Sequence, residues 1–230
     1  MSVFGPAAEA AARLAPQPAS DAADSPEPSG LPGSFRSALE QLRAAAPRHE
    51  AFVEEVPAPV RLAPYAVALR AEVSVDGSSA PVASGAQRPD TDSGQTLASG
   101  RFILLHDPAG QPLWGGTFRV VIYIRAELEP EMGNDPLLAE VAWTWLSDSL
   151  AQHGVEHTAA GGTATRILSE SFGSLNSRES TNDVELRASW TPAGEGFGAH
   201  LEAWADMVCS FAGLPSQPDG VLAMPHIRRI

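Results

Sequence analysis

His153-Gly154-Val155-Glu156-His157 carries the His-x-x-Glu-His spacing of an inverted zinc hydrolase. That chemistry needs both imidazoles on one helical face, the glutamate as general base and a third ligand elsewhere. Gly154 falls where the preceding helix should stop, so the two histidines are expected to straddle a helix end as solvated imidazoles, without zinc. Gly194-Glu195-Gly196-Phe197-Gly198-Ala199 matches Gly-x-Gly-x-x-Ala between a strand and a helix. No later strand completes a βαβ unit, and Glu195 would repel a pyrophosphate, so this stretch reads as a flexible connection. Trp114-Gly115-Gly116, beside His106-Asp107, would form a backbone nest or a small pocket. His106 and Asp107 are adjacent on a strand, point to opposite faces and make no dyad. A hairpin whose Trp114 covers the sheet edge is the expectation here.

Composition removes other chemistries. All 15 basic residues are arginines. Without a lysine there is no Walker A phosphate loop, pyridoxal Schiff base, Ser-x-x-Lys hydrolase or protein-kinase site. The single cysteine, Cys209, excludes intrachain disulfides, Cys-x-x-Cys redox pairs and cysteine-ligated clusters, and it suits a reducing compartment. No Gly-x-Ser-x-Gly elbow is present. The net charge of −13 repels nucleic acid backbones and anionic membranes. No apolar run approaches the ~18 residues of a membrane span, and the N-terminus lacks the basic start and apolar centre of a secretory signal. A cytoplasmic location is expected.

Two features point to binding. Between Ala126 and Thr165 there is no arginine but there are seven acidic residues, among them Glu140 and Asp148. Trp143 lies off the apolar stripe of that segment, beside Glu140, where it would anchor a basic partner. Separately, Arg70, Arg125 and Arg187 fall on the polar side of alternating strands, interleaved with Glu72, Glu127 and Glu185, either as ion pairs or as an open sheet face for a partner. Leu69-Arg70-Ala71, Ile124-Arg125-Ala126 and Leu186-Arg187-Ala188 echo one another.

The elements that must position these residues follow from periodicity. Residues 1–33 read as a disordered tail. Ser34 is placed as the cap of a first helix carrying Phe35, Ala38, Leu39 and Leu42 and stopped by Pro47. A charged connection with Phe52, Val53 and Val56 leads to the first strand at Tyr65–Val75. Residues 76–99 read as a flexible loop. A second strand is expected at Arg101–His106, closed by a type I turn at Asp107–Gly110, and a third at Thr117–Leu128. Asp135 and Pro136 start a second helix that buries Leu138, Val141, Ala142, Trp145, Leu146 and Leu150 and ends at Gly154. Strands at Thr158–Phe172 and Asp183–Thr191 and a third helix around Leu201, Trp204, Ala205, Val208 and Ala212 complete a domain at 34–215, and 216–230 reads as a tail. The expected fold is α+β: a five-stranded antiparallel sheet with helices on one face, in the order helix, three strands, helix, two strands, helix.

Arg61-Leu62-Ala63-Pro64-Tyr65-Ala66, Gly100–Pro108, Trp114–Val120, Arg125–Pro130 and Ala199–Trp204 together resemble the actinobacterial domain-of-unknown-function family numbered three thousand. The resemblance covers about Ser34 to Pro215. It implies a bounded domain of actinobacterial, cytoplasmic origin and supplies no catalytic residues. The element order is also similar to that of type III secretion chaperones and their non-secretory relatives, small acidic proteins that bind other proteins. The expected function is a non-catalytic protein-binding or chaperone-like module using Trp143, Glu140, Asp148, Arg70, Arg125 and Arg187, with no cofactor and no metal. Its expected partner is a protein, basic in character; a homodimer stays open, and membrane and nucleic acid are disfavoured. The alternatives are a small metal-dependent hydrolase or ligand-binding protein at His153/His157 or the Trp114-Gly115-Gly116 hairpin, and an RNA-associated factor.

Overall fold

The computed structural model describes residues 30–75, 96–128, 135–177 and 179–214. Elements run α1 (Gly33–Ala44), β1 (Phe52–Val56), β2 (Tyr65–Ser74), β3 (Thr96–Gln111), β4 (Gly116–Leu128), α2 (Leu138–Gln152), β5 (His157–Ser169), β6 (Thr181–Pro192) and α3 (Phe197–Phe211), with one short 3-10 turn at Gly173–Leu175. All strand pairs are antiparallel, and the sheet order is β1-β2-β3-β4-β6-β5.

The sheet has six strands, not the five expected. The extra one is β1, read from sequence as a charged connection. Two adjacent glutamates, Glu54 and Glu55, break its apolar alternation, but pairing with β2 satisfies its backbone. The second strand is also longer than expected. It starts at Thr96, inside the segment read as a loop, and Ala98 there is 1% exposed. Residues 76–95 of that expected loop, and the expected tails at 1–29 and 216–230, lie outside the described residues. Asp107–Gly110 makes no reverse turn. Asp107 Oδ1 accepts from the Ala109 N–H at 3.0 Å, the register slips between His106 and Gln111, and the chain reverses only at residues 112–115.

Alternation sets the layers. Val67, Ala71 and Val73 of β2, Phe102 and Leu104 of β3, Val120, Ile122 and Ile124 of β4, and Val184, Leu186 and Trp190 of β6 are buried under the helices. The helix α3 lies centrally on this side, buried around most of its circumference, with α1 and α2 packed against it. Gly100 makes the close approach possible: a Cβ there would stand 2.8 Å from Val208 Cγ2 and 2.9 Å from Trp204 Cζ2.

The helix ends follow their sequence signals with two shifts. Gly154 (φ 61°) and Gly213 (φ 79°) both take left-handed conformations. The next amide in each case, Val155 or Leu214, donates to the carbonyl of Leu150 or Cys209 at 2.9 and 3.0 Å, a paired stop for α2 and α3. Asp135 Oδ1 accepts from Leu137 N–H at 2.8 Å, so it closes the turn before α2 rather than capping the helix proper. Ser34 is inside α1, not at its cap: Pro32 precedes the helix, and the Ser34 hydroxyl meets His106 Nε2 at 3.2 Å.

Candidate functional site: the uncovered sheet face

The alternate side chains of the strands point away from the helices, and the strand register sorts them into transverse rows. One row reads Arg70, Arg101, Tyr123, Arg187 and Thr163, each directly opposite the next across β2, β3, β4, β6 and β5. On one side of it lies a row of small and apolar residues, Ala68, Ile103, Val121, Ser189 and Gly161. On its other side lie Glu72, Ser99, Arg125, Glu185 and Thr165, and then Glu127 opposite Asp183. The three echoed tripeptides therefore each deliver an arginine to the same face.

Most charges here are matched. Arg70 meets Glu54 at 2.6 Å and Glu72 at 3.3 Å. Arg125 grips Asp183 through two nitrogens, at 3.2 and 3.0 Å, and this contact raises the Arg125 pKa. Arg187 donates to Glu185 at 2.6 Å while its guanidinium carbon stands 5.4 Å over the Tyr123 ring. The Tyr123 hydroxyl donates to the other Glu185 oxygen at 2.8 Å; burial and this carboxylate push its pKa up. Arg119 is satisfied by neutral acceptors, Ser189 Oγ at 2.7 Å, Thr191 Oγ1 at 3.0 Å and the Ala159 carbonyl at 3.0 Å, and burial lowers its pKa. Arg101 is exposed and has no partner among the described residues. Its neighbours in the row are Arg70 and Tyr123.

Over the small-residue row runs a groove of about 430 Å³, lined by Arg101, Ile103, Val121, Tyr123, Gly161, Gly162, Thr163, Arg187 and Ser189. Glu54 sits in the arginine row opposite Arg70, and Glu72, Glu185, Glu127 and Asp183 lie beyond that row, away from the groove, so Arg101 leaves this wall with a net positive charge. Gly161 and Gly162 open it towards the edge strand.

The other sequence candidates stand elsewhere. Trp143 is half-buried against the core on α2, and Glu140 and Asp148 are exposed on the same helix, in the layer opposite this face. The six expected binding residues thus form two surfaces, not one. His153 turns to Asp206 at 2.6 Å and Glu202 at 3.8 Å, whereas His157 bonds the Val155 carbonyl at 3.3 Å and sets its ring edge-on to Trp190. The structure does not bring the two imidazoles onto a common ligand, and the described residues hold no group of three or more His, Cys, Asp or Glu able to take a metal. The Trp114–Gly116 hairpin is pinned by the Thr191 hydroxyl on the Trp114 carbonyl. Gly115 and Gly116 rim a second cleft of about 470 Å³ that includes Ser34, Gln41 and Glu195. Behind it, His106 is stacked between Phe35 and Phe118, and its Nδ1 lies 3.0 Å from the Thr117 carbonyl. That bond fixes Nδ1 as the donor, so Nε2 accepts from Ser34 and holds the start of α1 to the sheet. At the Gly-x-Gly-x-x-Ala stretch, the Phe197 amide donates to Gln41 Oε1 at 3.0 Å, and a Cβ on Gly198 would stand 3.1 Å from the Gln41 carbonyl, so α1 occupies the place a phosphate would need.

The sequence matches the family described as protein of unknown function (DUF3000) over residues 31–222. The chain belongs to this family. The DUF3000 match begins before α1 and runs past α3, and so takes in every strand and helix described above. No curated protein and no solved structure matches the chain.

Arg101 and Tyr123 were not singled out from sequence. Tyr123 was legible as a polar-face residue of its strand, but nothing in the sequence sets it between Arg101 and Arg187. That placement comes from register, which depends on long-range pairing.

Proposed function

We propose that this DUF3000 chain is a non-catalytic protein-binding module of the cytoplasm that presents the uncovered face of its sheet to a partner. One observation carries the reading: among the described residues, helices cover one side of the six strands and none covers the other, which holds an ordered lattice of arginine, tyrosine and carboxylate groups around a groove with an apolar floor. Such a face is positioned by rigid strands and leaves side-chain contacts available to an extended segment. The single cysteine is buried and its thiol is pushed up to about 12, chiefly by burial, which fits a packing role in a reducing compartment. No described helix is long and apolar enough to cross a membrane. The exclusive use of arginine suits a G- and C-rich, actinobacterial source.

The test compares capture of a partner from native lysate by three forms of the chain. Gly161→Trp fills the groove, and a Cβ at this position would meet nothing within 4 Å. A double Glu140→Arg, Asp148→Arg variant reverses the α2 surface instead. Loss of one defined partner with Gly161→Trp, and retention with the α2 variant, is the expected result. The opposite pattern would move the binding site to α2 and overturn the sheet-face reading.

A further inference from the structure

Resting on that reading, the geometry points to an acidic extended segment as the occupant of the groove. The groove crosses β3, β4, β6 and β5, about 14 Å at the usual strand spacing, the length of about four extended residues. Its floor is Ile103 and Val121, and its wall is Arg101 and Arg187 on either side of Tyr123. We propose that a partner lays a short stretch of Asp or Glu interspersed with small apolar residues across this floor, with its carboxylates on Arg101 and Arg187.

Two observations beyond shape favour an anion. Arg187 of the wall is met by Glu185, whereas Arg101 has no carboxylate among the described residues, so the wall keeps one uncompensated positive charge in a chain of net charge −13. Moreover, Arg101 lies directly opposite Arg70 and has no partner of its own among the described residues. Like charges directly opposite across a sheet cost stability. A bound carboxylate removes that cost and satisfies Arg101. The same wall would draw a phosphate backbone, but the one aromatic ring of the wall is already under Arg187 and offers no free stacking platform.

Fluorescence anisotropy on the full chain decides the matter, with three labelled probes carried to millimolar protein. These are a hexapeptide alternating Asp and Val, its Lys and Val counterpart, and a short oligothymidylate. The acidic peptide is expected to bind at least tenfold more tightly than the basic one and to weaken at least tenfold in 0.5 M salt. Arg101→Glu should cost at least tenfold in that binding without lowering the temperature of thermal unfolding, because Arg101 is exposed and has no partner among the described residues; Gly161→Trp should do the same by obstruction. If the basic peptide binds instead and Gly161→Trp blocks it, the acidic occupant is wrong while the sheet-face reading stands. If the oligothymidylate binds more tightly than either peptide and Arg101→Glu abolishes it, a nucleic acid replaces the peptide and both fall. If peptide binding survives both variants, or neither peptide binds, both likewise fall.

Discussion

His200 illustrates how one buried side chain ties this fold to pH. The Trp190 indole N–H donates to His200 Nδ1 at 2.9 Å, so that nitrogen must carry a lone pair and the ring must be neutral. Burial, with a smaller contribution from nearby His157, lowers its pKa from 6.5 to about 4. The folded pKa lies below the unfolded one, so the unfolded chain takes up a proton first as pH falls. Stability is therefore full above about pH 6.5, declines between about pH 6.5 and 4, and loses nothing more from this group below that. The loss is about 3 kcal/mol across the window. Urea denaturation at a series of pH values should show this slope, and His200→Gln should flatten it; an unchanged slope in the variant would assign it elsewhere. His106, also buried and also lowered, adds in the same direction.

Among the elements, α3 carries the tightest fit. Trp204 and Val208 sit on Gly100 of β3 so closely that even one methyl group must displace them. Gly100→Ala is expected to cost about 1–3 kcal/mol by overpacking, measured by chemical denaturation. A neutral or stabilising result would mean that α3 rides higher over the sheet than described. Periodicity made α3, β4 and β6 readable because each alternates or repeats without interruption. It failed at β1, where Glu54 and Glu55 are consecutive. It also failed in β3, where Thr96-Leu97-Ala98-Ser99-Gly100 is made of small residues and the strand is held by its neighbours rather than by its own pattern. The same limit applies to the site. Alternation assigned Arg70, Arg125 and Arg187 to a polar face, correctly as to side, but the row that joins Arg101 to Tyr123 depends on which residue of one strand meets which residue of the next.

At the scale of the molecule, the helices divide the sheet into a face held by packing and a face held by charge. The strands also differ in how many neighbours they have. β3, β4 and β6 are paired on both sides, whereas β5 ends the sheet and pairs with β6 alone. Most of β5 is exposed, and it begins its pairing with a slip in register between Thr158 and Gly161. Its opening to water should therefore be far more frequent than that of the central strands. Hydrogen–deuterium exchange should show β5 amides from Gly161 to Leu168 losing protection orders of magnitude sooner than those of Ile122 to Ala126; equal lifetimes would mean that the edge is covered in solution. The groove ends on this strand, at Gly161, Gly162 and Thr163. One end of the recess should thus belong to the slowest-exchanging part of the molecule and the other to the fastest, so the recess should keep its floor while that end opens and closes on its own clock.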